Sequence, residues 1–144
     1  MVENRPPERH LAMAGAHNVR DLGGYPTPAG GQTRWRRFLR SDSVHGLPAA
    51  SQSALVEHGL RTAVDLRTSS EVEAQPSVFA RSSAVAYLHH NLMGDDPVDD
   101  VPVEGDVVSA MVELYTGWLD DRRVQIGQIL QALAGPGALP ALYH

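Results

Sequence analysis

GLRTAVDLRTSSEVEAQP, residues 59–76, is the stretch on which the fold turns. Leu60, Ala63, Val64 and Leu66 make a near-continuous apolar run, the pattern of a strand buried on both faces of a parallel sheet. The run ends on a polar tip of Asp65, Arg67, Thr68 and Ser69. SSEVEAQ then sets a cap-like serine ahead of Glu71 and Glu73, which predicts a short helix stopped by Pro76.

Upstream, HNVRDLGGYPTPAGGQTRWRRFLRSDS (17–43) carries two glycine pairs around a proline-rich turn, with alternation from Trp35 to Leu39. This predicts a hairpin. Leu47, Pro48 and the run to His58 suit a helix with proline in its first turn and Gly59 just past its end. The first sixteen residues have no period and read as a loose tail with one short helical stretch. Downstream, AVAYLHH (84–90) is a further strand, and GDDPVDDVPVEGD (94–106), with six acids and two prolines, is a loop. Asp106 can cap a helix on which Val107, Met111, Leu114 or Tyr115, and Trp118 recur at helical spacing. Asp120 and Asp121 interrupt it, and Ile126, Ile129, Leu130 and Leu133 continue on a second helix. GALPALYH (137–144) closes with a buried strand, Leu139 to Tyr143, tipped by His144. Strand, helix, strand, helix, strand, two helices and strand is an α/β pattern.

A length of 144 residues sets a single domain with room for a core, and 42% hydrophobic content excludes wholesale disorder. No stretch approaches the roughly 20 apolar residues of a membrane span, and MVENRPPERH lacks the apolar centre of a secretory signal, so the sequence predicts a cytoplasmic protein. The absence of cysteine rules out disulfides and thiolate chemistry within these residues. A net charge of −5 argues against a general nucleic-acid binder. The charge is uneven: residues 1–40 hold seven arginines against three acids, and residues 91–121 hold nine acids and no arginine. An anion site is therefore expected nearer the N-terminal segment.

Four features can carry chemistry. Arg20-Asp21, followed by glycines, is either part of a site or a structural ion pair holding the hairpin. Asp65 and Arg67 lie at the end of the central strand, where alternate residues point the same way and where sites form in such sheets. The alternative is Arg67 folded back on its own strand's Asp65. Asp95 and Asp96 in the acidic loop can supply a general acid or hold a hard cation, or simply stay solvated. His89 and His90 are strand neighbours that face opposite sides and do not easily share a metal, and no zinc-type spacing occurs.

Taken in order, NVRDLGGY (18–25), RWRRFLRSDSV (34–44) and GLRTAVDLRTSSEVEAQP closely resemble the N-terminal half of the bacterial tyrosine-phosphatase-like family, which comprises atypical cysteine-dependent protein tyrosine and dual-specificity phosphatases. The motifs fill residues 17 to about 76, and the later helices and LPALYH fit the layout more loosely. The resemblance implies a cysteine-phosphatase fold, with a central, mostly parallel sheet of four to five strands flanked by helices. Residues 1–16 would be a tail, and residues 17–144 the N-terminal portion of one phosphatase domain, ending at the strand before the phosphate-binding loop.

The resemblance also implies phosphomonoester hydrolysis through a phosphocysteine intermediate, with no cofactor and no metal, on a phosphotyrosine protein or another phosphomonoester. In that family the final strand runs into His-Cys-x5-Arg. His144 matches the histidine, so the nucleophile is expected immediately after it and outside this chain. Backbone N–H groups and a helix N-terminus would cradle the phosphate dianion and lower the thiol pKa. By the same resemblance Arg20, Asp21, Arg40, Asp65, Arg67 and Glu71 support the site, and Asp95 and Asp96 fall where some relatives place a carboxylate close to it. A non-catalytic phosphate-binding pseudophosphatase would use the same frame, and only the residues following His144 separate the two. The sequence sets no oligomeric state.

Overall fold

The computed structural model describes residues 8–94 and 106–144. Five strands and four helices follow one another as β1 (Arg20–Asp21), β2 (Phe38–Arg40), α1 (Ala49–His58), β3 (Thr62–Asp65), α2 (Ser69–Ala74), β4 (Ala86–His89), α3 (Val107–Asp121), α4 (Arg123–Leu133) and β5 (Ala141–Tyr143). The strands form one sheet in the order β1-β2-β5-β3-β4. Only β1 and β2 are antiparallel, the predicted hairpin; β2, β5, β3 and β4 all run the same way. The mostly parallel α/β architecture expected from the sequence is the one observed.

β3 behaves as its apolar run requires, with all four residues buried. The period of two divides the sheet between two cores. Ala63 and Leu142 join Val19, Leu39, Leu55 and Phe79 on the face covered by α1. Val64 and Ala141 join Leu133 on the other face, with Phe38, Leu88 and Tyr143 packed around them. Thr62 is tolerated inside because its hydroxyl donates to the Ala138 carbonyl at 2.8 Å.

The helices start and stop at their sequence signals, with small shifts. Pro48 is the N-cap of α1 rather than part of its first turn, and Gly59 closes the helix at φ 109, a left-handed value that favours glycine. Thr68, not a serine, caps α2: its hydroxyl accepts from Glu71 N, and Glu71 Oε2 accepts from Thr68 N at 3.0 Å, a reciprocal capping box. Asp106 caps α3 by accepting from Val108 N, as predicted.

Two expectations fare differently. Residues 9–16, read as a loose tail with a helical stretch, instead run beside β1: Leu11 N donates to Val19 O, and Arg9 O accepts from Asp21 N at 2.8 Å. Leu11 and Met13 pack on the α1-side core. The apolar stripe of α3 is helical, but none of its residues is buried, and Val107 and Tyr115 are more than half exposed. No helix among the described residues is long and apolar enough to cross a membrane.

Candidate functional site

The C-terminal ends of the parallel strands gather the polar residues singled out from the sequence. β5 delivers His144 there, and backbone bonds fix it: His144 N donates to Val64 O at 3.1 Å, and Leu66 N donates to His144 O at 2.8 Å. Ser41 N, just past β2, donates to Tyr143 O at 3.0 Å, so the strand end is held from both sides. The imidazole is fully buried, with Nε2 3.8 Å from Asp65 Oδ2. Among the described residues neither ring nitrogen has a hydrogen-bond partner.

Asp65 is the hub. Its side chain is completely buried, and Arg67 binds it bidentately, Nε to Oδ1 at 2.9 Å and Nη2 to Oδ2 at 2.7 Å. Arg67 N also donates to Oδ1, and the Tyr87 hydroxyl donates to Oδ2 at 2.9 Å. Arg67 Nη1 is taken by the Gln75 carbonyl at the end of α2. Of the two arrangements open for this pair, the structure adopts the guanidinium folded back on its own carboxylate. Arg67 therefore orients and neutralises Asp65, with each of its three guanidinium nitrogens already donating one bond.

Charges follow from these contacts. Burial pushes the Asp65 carboxyl up, but the Arg67 guanidinium, His144 and the Tyr87 hydroxyl together hold it below the ordinary value. Burial holds the His144 ring below its ordinary value despite the pull of Asp65. At neutral pH the ring is uncharged, so Arg67 is the lasting counter-charge. Burial, then the bond to Asp65, push the Tyr87 phenol up to about 12.

The remaining expected residues divide. Arg40 and Arg20 are cross-strand partners at the same end of the sheet, both exposed, and no ion pair neutralises either among the described residues. Like charges set directly opposite repel, so this pair is a standing cationic spot one strand from Tyr143. Glu71 lies close by, but its carboxylate is spent on the α2 cap, whose Thr68 bonds hold it below the ordinary range. Asp21 goes elsewhere. Adjacent strand residues face opposite sides, so it forms no ion pair with Arg20. It accepts instead from Gly23 N at 2.8 Å and Arg36 N at 2.9 Å, and its Oδ2 lies 3.8 Å from His58 Nε2. These bonds set the hairpin turn, in which Trp35 packs so closely on Gly23 that an added Cβ would lie 2.6 Å from its Cα. Asp95 and Asp96 lie outside the described residues.

Two residues of this region were missed by sequence reasoning. Tyr87 shares a sheet face with Ala63 and Asp65, which strand alternation around AVAYLHH would have revealed once β4 was paired with β3. Asp42 accepts from His17 N at 3.0 Å and Asn18 N at 3.1 Å, fastening the segment before β1 to the loop after β2. Burial pushes its carboxyl up, and those amides more than offset it. His89, by contrast, turns its Nε2 to the Arg67 carbonyl at 2.9 Å. Among the described residues no group of three or more His, Asp or Glu is placed to hold a metal ion.

A tyrosine-protein phosphatase from Nostoc commune is 28% identical over 107 residues, covering 74% of this chain. The chain spans only 36% of that relative's length. The model of the tyrosine phosphatase family matches residues 11–144, from the segment beside β1 through the histidine at the end of β5. By that match, which takes in every described strand and helix, the chain belongs to the tyrosine phosphatase family.

Proposed function

We propose that the protein containing this chain is a cysteine-dependent protein tyrosine phosphatase, and that residues 17–144 are the scaffold portion of its catalytic domain. The observation that carries this reading is the seat of His144. It is pinned by backbone bonds at the C-terminal edge of a parallel sheet, with a buried ring facing Asp65. In open α/β sheets that edge is where ligands bind. The nucleophilic cysteine is expected immediately after His144, at the start of a phosphate-binding loop.

In this reading the thiolate attacks phosphorus, an S–P bond forms, and the P–O bond to the substrate oxygen breaks. A proton from an acid, for which Asp95 and Asp96 are the candidates, goes to the leaving oxygen. Water then hydrolyses the phosphocysteine. The residues gathered at the strand ends position rather than react. The Asp65–Arg67–Tyr87 network fixes the strand end from which the loop departs, and Arg20 with Arg40 supplies positive field to an approaching dianion. The burial of Asp65, already neutralised by Arg67, keeps an uncompensated negative charge away from the phosphate.

Turnover of p-nitrophenyl phosphate by the full-length protein in EDTA tests the proposal. Activity that survives chelation and disappears when the residue after His144 is changed to serine supports it. Full-length protein without activity, or activity lost with the chelator, rejects it.

A further inference from the structure

Leu22, Phe38 and Leu139 line an apolar recess of about 530 Å³, with Thr33, Arg34 and Arg37 around them. Its place follows from the ladder. Phe38 opens β2, Leu139 lies just before β5, and Leu22 N donates to Phe38 O at 2.9 Å. The recess therefore sits where the parallel strands start, at the end of the sheet away from His144. Phe38 and Leu139 also pack on the core around Leu133, so this is a corner at which that core stays open. The volume falls within the range of about 300–1,000 Å³ typical of small-molecule sites.

Its walls are fixed by the backbone. Gly24 N donates to Thr33 O and Thr33 N to Tyr25 O, both at 2.9 Å, and Ala141 N donates to Arg37 O at 2.9 Å. The Thr33 hydroxyl is committed, donating to Leu22 O at 2.6 Å and accepting from Tyr25 N at 3.0 Å. Arg34 and Arg37 are exposed, and among the described residues neither guanidinium has an ion pair. Residues 22–41 hold four arginines and no acid. The neighbouring carboxylate, Asp21, is buried and bonded to Gly23 N and Arg36 N. An apolar hollow beside two accessible cations complements an apolar body that carries one anionic head. A bilayer is engaged by apolar side chains that project, and among the described residues none of the exposed large hydrophobics lines this recess.

We propose that this recess binds a free amphiphilic anion, an acyl chain with a carboxylate head, the chain lodging against Leu22, Phe38 and Leu139 and the head meeting Arg34 and Arg37. The site is separate from the strand ends that carry His144, and it stands independently of the phosphatase reading.

Titration calorimetry of the full-length protein with monomeric amphiphiles tests the site. Decanoate should bind, and dodecanoate about tenfold tighter because it buries two more methylenes. Dodecyltrimethylammonium, with the same chain and the opposite charge, should bind roughly fivefold more weakly than dodecanoate. Reversing both charges, Arg34→Glu with Arg37→Glu, alters only exposed side chains and should invert that head-group preference. No binding of dodecanoate overturns the site, as do equal affinities for the two head groups in the native protein or a preference that survives charge reversal. Capture on phosphatidylglycerol vesicles without binding of monomeric dodecanoate assigns the arginines to a membrane surface and overturns it too.

Discussion

Asp65→Asn keeps the shape of the hub and removes its charge. In the native protein the carboxylate satisfies Arg67 Nε and Nη2, Arg67 N and the Tyr87 hydroxyl. The amide retains one acceptor and turns an NH₂ toward donors that need acceptors. The Arg67 side chain is only 10% exposed, so its cation is left largely buried without a counter-charge. Breaking a buried pair from one side costs about 3–5 kcal/mol, although replacing both members with apolar groups is often neutral. Urea unfolding of the full-length protein, followed by the fluorescence of Trp35 and Trp118, reads this as a fall in midpoint at constant slope.

The pH dependence gives a second handle on the same variant. The folded Asp65 carboxyl lies below its ordinary value of 3.8, so its stabilisation is complete above that value and is lost as pH falls through the lower folded one. The gap between wild type and Asp65→Asn should hold between pH 7 and 8 and narrow below about 4. A loss under about 1 kcal/mol at pH 7, or a gap that does not shrink at pH 3.5, would refute the assignment of Asp65 as a buried, charged hub.

Tyr87→Phe removes one hydrogen bond to a charged acceptor and should cost about 1.5–3 kcal/mol in the same unfolding assay. Because the phenol is raised from 10.0 to about 12, its contribution is complete below pH 10 and fades as pH climbs toward 12. A spectrophotometric titration should accordingly show a late tyrosine ionisation, and Tyr87→Phe should abolish that late step. Thr68→Ala dismantles the capping box and should cost about 1 kcal/mol by urea unfolding. Gly23→Ala forces a Cβ to within 2.6 Å of the Trp35 backbone. It should destabilise by roughly 1–3 kcal/mol and shift Trp35 fluorescence, and a neutral result would contradict the close approach.

Where sequence and structure agree, the reason is periodicity. LRTAVDLR announced a doubly buried strand because Leu60, Ala63, Val64 and Leu66 make a near-continuous apolar run, and β3 is that strand. The Gly-Gly pairs announced the hairpin because close packing at Trp35 admits no side chain at Gly23. The strand-end cluster was half legible. Asp65 and Arg67 were visible two residues apart on one face, but Tyr87, 22 residues away, enters only through the β3–β4 register. Arg20-Asp21 misled for a simple reason: chain neighbours on a strand diverge, and the partners Asp21 takes, Gly23 N and Arg36 N, are main-chain groups that leave no trace in side-chain pattern. Residues 9–16, part of the aperiodic first sixteen, carry no sequence sign of their place beside β1, because the pairing through Leu11 N and Arg9 O is again backbone alone. The α3 stripe had the right period, but period reports where an apolar face points and says nothing of what covers it.

The position of β5 in the sheet has a consequence for assembly. β1 and β2 form one local ribbon and β3 and β4 another, and the short strand β5, prolonged by the bonds of Pro140 and His144 to β3 and its flanks, is seated between the two. Each ribbon can close from nearby segments, whereas the seam requires a piece distant in the chain to slide between them, the costly kind of non-local contact that slows folding. The amides of β2 and β3 that face the seam should therefore gain and lose hydrogen-exchange protection as one unit, apart from those inside either ribbon.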